Sequence, residues 1–244
     1  IRLRTKGAEP ARVVAPPPAP TPPKPPAKRK QNETHDAYVK RLLDAAPLSK
    51  ATKAALEKLR ANAVLVRTVK GKAGASRMGG DPDLPIGAKW PSGRRGPLSF
   101  IAQFDLADVA KHVPALPARG LLSFFVDEGA DTFLEKAAVL HLTESKLVPT
   151  KPPPTFRRMA AGELLDHGYP ACAVAFEPAR RLVHPSNQVL KKQKWGDGEK
   201  AVYEAICNAA MASNHHQLLG WRDLSYDGEL SPRDALLFQC ASDH

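Results

Sequence analysis

Hydrophobic and polar positions follow a helical spacing at the start of the chain and then change to a strand-like spacing. Residues 33–46 carry apolar side chains on one helical face, and Pro47 ends this predicted helix. Ser49 is a suitable N-cap for a second helix over residues 50–62. The β-branched run that follows predicts a strand over residues 63–69.

The rest of the chain mixes strands and helices without regular alternation. A stretch dense in glycine and proline, residues 70–96, predicts irregular backbone. A proline-rich connector at residues 150–154 and a polar loop at 185–200 interrupt the later part. Strands are predicted at 98–104, 120–126, 133–143, 171–176 and 236–240, and helices at 160–166 and 199–213. This order predicts a β-rich α+β fold with peripheral N-terminal helices.

Two parts of the chain share a short pattern, which predicts an internal duplication. A glycine is followed by aspartate three residues later and leucine four residues later, at Gly80 and again at Gly220. Each copy then reaches an apolar strand that ends in glutamine, at Gln103 and Gln239. Glycine tolerates positive φ and aspartate caps turns, so the pattern has a structural reason. We expect repeat halves at about residues 63–145 and 160–244.

Charge and proline are concentrated at the beginning of the chain. The 244 residues contain 36 Lys and Arg, 25 Asp and Glu and 24 prolines, with a net charge of +11. Residues 1–31 hold +7 of that charge, nine of the prolines and no aromatic residue. Such a segment buries too little apolar surface to fold, so it is predicted to be a disordered linker with polyproline-II character. The folded domain is then residues 32–244.

Composition excludes several classes of protein. No apolar run approaches the roughly 18–20 residues of a membrane span, and the N-terminus lacks the apolar region of a signal peptide. Three widely spaced cysteines, at positions 172, 207 and 240, favour a reducing compartment over disulfides or zinc. We expect a cytoplasmic protein with no membrane association and no cofactor. Because the chain starts at Ile1, we expect it to be part of a larger protein.

Two carboxylates in the glycine-rich stretch are the most site-like residues. Asp81 and Asp83 could hold a divalent cation together with Asp105 or Asp127, or contact a partner. The spacing lacks the third ligand of a calcium loop, and aspartate beside proline is an ordinary turn former, so a turn is the leading interpretation. No motif of a hydrolase, zinc protease or nucleotide-binding loop is present. The sequence therefore leans against an enzyme.

The repeat loops supply the remaining candidate binding residues. Trp90 and Trp221 could anchor a ligand or partner, or fill the core beneath a loop. Gln103 and Gln239 end apolar strands, where a buried amide would satisfy backbone groups of a loop. The candidate binding residues are Asp81, Asp83, Trp90, Gln103, Trp221, Asp223 and Gln239.

Several segments together resemble the YwqG-like family of bacterial proteins. They are residues 78–85, 89–91, 97–106, 116–127, 216–220 and 236–239, and the resemblance covers roughly residues 35–244. It implies an internally duplicated, β-rich α+β domain whose biochemical function is not established. The family usually continues past the second glutamine strand, so we expect the second half to be truncated here.

Three functions follow as expectations. The first is a non-enzymatic module that binds a protein, peptide or ligand in a larger bacterial protein, with toxin neutralisation as a role that the resemblance suggests. The second is a metal-assisted hydrolase that uses Asp81 and Asp83. The third is weak, non-specific nucleic-acid binding through the basic residues 1–31.

Overall fold

Helices and one large sheet occur together in the computed structural model, which describes residues 27–94, 96–127, 137–160, 163–211, 216–221 and 236–240. The predicted β-rich α+β class is confirmed. Within these ranges no helix is long and apolar enough to cross a membrane. In chain order the elements are α1 (His35–Ala45), α2 (Lys50–Leu59), β1 (Ala61–Val69), β2 (Arg77–Met78), β3 (Asp83–Pro85), β4 (Ser99–Asp105), α3 (Leu106–Val109), β5 (Leu121–Val126), β6 (Ala137–Leu142), β7 (Leu147–Pro149), β8 (Arg158–Ala160), β9 (Glu163–Leu165), β10 (Cys172–Arg181), a 3₁₀ turn (Gln188–Leu190), α4 (Glu199–Met211), β11 (His216–Leu219) and β12 (Phe238–Gln239).

The two longest strands, β1 and β10, are the third and fourth strands of the eight-stranded sheet. The strand order is β12-β11-β1-β10-β2-β4-β5-β6, and each neighbouring pair is antiparallel. β1 pairs with β10 from Ala61 opposite Arg181 to Val69 opposite Ala173. Val64 and the residues on either side of it are buried, so both faces of β1 are covered. The β1–β10 pair connects the β11–β12 side of the sheet to the side that contains β2, β4, β5 and β6.

Two strands lie beyond β1 in the sheet, and four lie beyond β10. From β1 the next strands outward are β11 and β12, and from β10 they are β2 and β4. Arg77 of β2 lies opposite Gln103 of β4, and Gln217 of β11 lies opposite Gln239 of β12. The sequence pattern that aligns Gly80 with Gly220 thus also aligns these two strand pairs in register.

The backbone at the ends of β2 and β11 has the same conformation. Gly79 and Gly80 have φ values of 62° and 74°, and Leu219 and Gly220 have φ values of 57° and 78°. The N–H of Gly79 donates to the carbonyl of Ile101 at 2.8 Å, and the N–H of Leu219 donates to the carbonyl of Leu237 at 3.1 Å. Leu219 adopts a conformation that costs a branched side chain free energy, whereas its counterpart is glycine.

Three hydrophobic clusters stabilise the fold. Phenylalanine rings dominate the cluster on one sheet face, where Phe104, Phe124 and Phe238 have ring centroids 4.7–5.7 Å apart. A second cluster lies between the β4-β5-β6 end of the sheet and the β3–β7 pair, and it includes Leu84 and Phe125. The third cluster consists mainly of side chains from α1, α2 and α4.

Glu199 connects the starts of α2 and α4. Its carboxylate accepts hydrogen bonds from the backbone N–H of Ser49, from the N–H of Gly196 (2.8 Å) and from the Thr52 hydroxyl (2.8 Å). These donors lower the pKa of Glu199 to about 2, because they favour the charged form. Ser49 also caps α2 by accepting from Thr52 N at 3.2 Å, so the predicted cap is confirmed.

The first described residues contact the folded body. Arg29 donates to Glu177 of β10 at 2.7 Å, and the carbonyl of Lys28 accepts from Arg41. Burial alone would raise the pKa of Glu177, but the N–H of His35 and the Arg29 guanidinium outweigh it and lower the pKa. Two residues of the predicted linker 1–31 thus pack against the domain, while residues 1–26 lie outside the described residues.

Some sequence-based elements differ in the structure. The predicted helix over residues 160–166 is wrong, because β8 and β9 pair there as antiparallel strands, and Gly162 disfavours helix. The stretch 70–96 contains β2 and β3, and the predicted loop 185–200 contains a 3₁₀ turn. β10 continues five residues beyond the predicted strand. The prediction ended too early because Glu177 and Arg181 interrupt the apolar pattern of the sequence. Residues 133–136 and 212–213 lie outside the described residues.

Replacing Gly80 or Gly220 by alanine tests the correspondence of the two strand ends. A Cβ there would lie 2.8 Å from Ala171 Cβ or 2.7 Å from Ala63 Cβ, whereas Gly87, with φ of 77°, has open space. Gly87→Ala measures the backbone cost alone. We expect Gly80→Ala and Gly220→Ala each to lower the free energy of unfolding by about 1–2 kcal/mol more, measured by urea denaturation. Equal losses in all three variants would contradict the close approach.

Acid titration tests the anchoring of α2 and α4 by Glu199. A carboxylate whose pKa is lowered from 4.5 to about 2 stabilises the fold above pH 4.5 and loses this effect as the pH falls towards 2. The stability difference between the native chain and Glu199→Gln should therefore be largest above pH 4.5 and shrink towards pH 2. The contributions of the other acidic residues to the pH dependence cancel, because both chains contain them. A difference that does not change with pH would contradict the account.

Candidate functional site

Gln103 fixes the glycine-rich loop from inside the protein. Its side chain is completely buried on β4. The amide nitrogen donates to the carbonyl of Ala75 (2.8 Å) and to the carboxylate of Asp83 (2.7 Å), and the amide oxygen accepts from the N–H of Asp83 (2.9 Å). One side chain thus joins the residues before and after the paired glycines. The predicted role of Gln103, satisfying backbone groups of a loop, is confirmed.

Arg77 supports the same loop from β2. Its guanidinium donates to the carbonyl of Gly74 (3.0 Å), to the carboxylate of Asp83 (3.0 Å) and to the carbonyl of Asp81. The Arg77 side chain is only 10% exposed, so it needs a counter-ion. Asp83 supplies that charge. Its carboxylate accepts hydrogen bonds from both Arg77 and Gln103.

The structure brings together three of the predicted site residues. Asp81, Asp83 and Gln103 meet in this network, although Asp81 takes part through its backbone carbonyl. Across the described part of the chain, no three His, Cys, Asp or Glu side chains are grouped as a metal site would require. Gln239 lies in β12, opposite Gln217 of β11. Asp223 lies outside the described residues.

The two tryptophans pack in different hydrophobic clusters. Trp90 donates its indole N–H to Leu98 O (2.8 Å), and its ring meets Phe125 edge-on at 5.5 Å. Trp221 donates to Leu59 O (2.6 Å) and packs against the helical cluster. Both side chains are partly buried with their polar atoms satisfied. Of the two interpretations left open by the sequence, filling the core beneath a loop agrees with these contacts.

An open cleft of about 420 Å³ lies beside the Gln103 network. One wall is the loop before β2, which includes Lys72. Asp108, Lys111 and His112, in α3 and just after it, also line the cleft, as do residues 173–176 of β10. Lys72 and Lys111 together outweigh Asp108, so the lining side chains carry one net positive charge.

The wall before β2 is held at three consecutive residues. Arg77 binds the carbonyl of Gly74, and Gln103 binds the carbonyl of Ala75. Ser76 accepts from the N–H of Asp105 (2.9 Å) and donates to the Asp108 carboxylate (3.1 Å), which links this wall to α3. The buried network therefore positions the cleft, and the cleft itself presents the charges.

Comparison with known proteins places the chain in a family. Residues 76–244 match a family described as a domain of unknown function (DUF1963). The chain belongs to this family. Among curated proteins, none matches it. The DUF1963 region includes Arg77, Asp83 and Gln103 and the lining residues contributed by α3 and β10, while β1 and residues 72–75 lie before it.

Sequence reasoning missed the cationic residues of this DUF1963 cleft. Lys72 lies in the stretch 70–96, for which the sequence predicts only irregular backbone, and Lys111 and His112 follow an undetected helix of four residues. The sequence contained one signal for the role of Arg77. An arginine just before two glycines needs an acidic partner if the strand that carries it is buried. The sequence could not show that the carboxylate of Asp83 comes within hydrogen-bond distance of Arg77.

Replacing Gln103 by leucine tests the network. Leucine is similar in size but leaves the N–H of Asp83 and the carbonyl of Ala75 without their partner, so we expect a loss of about 2–3 kcal/mol in the free energy of unfolding. Gln193→Leu is the matched control, because its side-chain amide donates to the carbonyl of Lys194 in a solvent-exposed hydrogen bond. It should cost about 0.5 kcal/mol or less. Similar losses in both variants, measured by urea denaturation, would refute the role of Gln103.

Proposed function

We propose that this domain is a non-enzymatic binding module that recognises an acidic segment of a partner protein. The observation that carries the proposal is the cationic cleft whose wall is fixed by Gln103 and Arg77. A pre-formed wall lowers the entropy lost when a partner binds. Lys72 and Lys111 both line the cleft and suit carboxylates that bind there.

The lining of the cleft favours a peptide over a compact charged ligand. Ala173 and Ala175 occupy little space, and Val174 and Phe176 add apolar residues to the lining. A segment that places an acidic side chain near Lys72 and Lys111 would use both kinds of surface. Electrostatic complementarity of this kind raises the rate of association and selects acidic partners.

The contacts of Asp83 support binding over metal-assisted hydrolysis. Its carboxylate lies 3.0 Å from an Arg77 nitrogen and 2.7 Å from the Gln103 amide nitrogen. A metal ion there would have to displace a buried guanidinium from its counter-ion, which costs several kcal/mol. We therefore assign Asp83 to the scaffold of the binding cleft.

We further propose that the domain arose by duplication of a β-rich half, as the YwqG-like resemblance implies. The matching strand order, the registers of Arg77 with Gln103 and Gln217 with Gln239, and the paired left-handed residues support this origin. On this account the halves meet at the β1–β10 pair, and the Gln217 end of the sheet is a structural counterpart of the cleft wall. A bacterial toxin is one partner that the resemblance suggests.

Charge reversal in the cleft tests the proposed function. The probe is a fluorescein-labelled oligoglutamate peptide, whose anisotropy is followed at low ionic strength with the full chain. We expect Lys72→Glu with Lys111→Glu to weaken binding about tenfold or more, because each change replaces attraction by repulsion. Lys191→Glu with Lys192→Glu is the control, since both residues are exposed, lie outside the cleft lining and change the net charge equally. Equal weakening by both pairs would show that the cleft is not the site.

A further inference from the structure

The three cysteines have different surroundings. Cys207 is buried in the helical cluster, and its thiol donates to the carbonyl of Val183 at 3.8 Å. Cys172 is half-buried, and its thiol donates to the carbonyl of Pro170 at 3.7 Å. Cys240 is exposed, and its sulfur lies 3.4 Å from Nδ1 of His216. Cys240 therefore combines accessibility with a basic nitrogen.

The sheet holds His216 in place opposite Cys240. His216 begins β11 and pairs with Val66 of β1, and the next two residues of β11 pair with β12. Its side chain is only 2% exposed, and its ring lies 6.5 Å from the ring of Phe238. Because β12 runs antiparallel to β11, the residue after Gln239 comes next to His216. The pair results from strand pairing between residues 24 positions apart.

We propose that Cys240 and His216 form a reactive thiol site, through which the protein is modified by low-molecular-weight disulfides. His216 Nδ1 accepts the thiol proton of Cys240, and the resulting thiolate attacks one sulfur of the disulfide. The new sulfur–sulfur bond forms as the old one breaks, and the released thiolate takes up the proton. The incoming disulfide is the oxidant, so atoms and electrons balance.

General thiol chemistry explains why the other cysteines are poor sites. The thiolate is the attacking species, and a neighbouring imidazole increases its availability. Carbonyl acceptors such as those of Val183 and Pro170 stabilise the protonated thiol instead, and burial hinders the approach of a disulfide. Cys172 and Cys207 therefore serve as internal references in the same protein.

Alkylation rates test the proposal in the full chain. Iodoacetamide is added under native conditions, and each cysteine is quantified by mass spectrometry over time. The reference is a synthetic peptide of residues 236–244, which contains the same cysteine without the folded histidine partner. We expect Cys240 to react about tenfold faster than the peptide, because a positioned proton acceptor accelerates thiolate attack. Cys172 and Cys207 should react more slowly than the peptide.

Two variants separate the role of His216 from simple exposure. His216→Gln and His216→Phe keep a side chain of moderate size beside Phe238 but remove the basic nitrogen, so Cys240 should slow to the rate of the peptide. Oxidised glutathione should form its mixed disulfide at Cys240 first, and Cys240→Ser should abolish this product. If Cys240 in the native chain reacts no faster than the peptide, the proposal is wrong, whether or not the variants fold.

Discussion

The side-chain amide of Gln103 is the interaction on which the candidate site depends. A buried amide that lacks partners costs free energy, and the same is true of the loop backbone around it. The Gln103 amide satisfies itself and the loop backbone together, because it donates to the carbonyl of Ala75 before the paired glycines and accepts from the N–H of Asp83 after them. The loop contains only two short strands, so side chains take over part of the hydrogen bonding that regular structure provides elsewhere.

This constraint separates the residues that build the site from those that act in it. Asp83 resembles a metal ligand in the sequence, yet in the structure it balances the charge of Arg77. The same network holds the carbonyls of Gly74 and Ala75, and thereby the wall of the cleft that carries Lys72. Binding would therefore use residues next to the glycine motif, while the motif itself maintains the shape of the wall.

The sequence predicts well those elements that have enough length to show a period. The helices at α1, α2 and α4 and the strands β1, β4 and β5 follow from their apolar spacing, and the glutamine that stabilises a loop follows from its place after an apolar run. β2 and β3 are too short to show a period. The outer half of β10 contains the buried charged residues Glu177 and Arg181, and Glu177 is paired with Arg29 and accepts from the N–H of His35 in α1. Likewise, the meeting of Arg77 with Asp83, and of Cys240 with His216, depends on backbone turns and strand pairing that no local pattern contains.

The most direct test of the central claim is amide hydrogen exchange at Asp83, measured residue by residue by NMR. Its N–H donates to a completely buried acceptor, the Gln103 amide oxygen, at 2.9 Å. We predict that this amide exchanges as slowly as those in the middle of β4, although Asp83 belongs to a strand of only three residues. Exchange at the rate of an unstructured peptide would show that Gln103 does not fix the loop, and would contradict the account of the cleft.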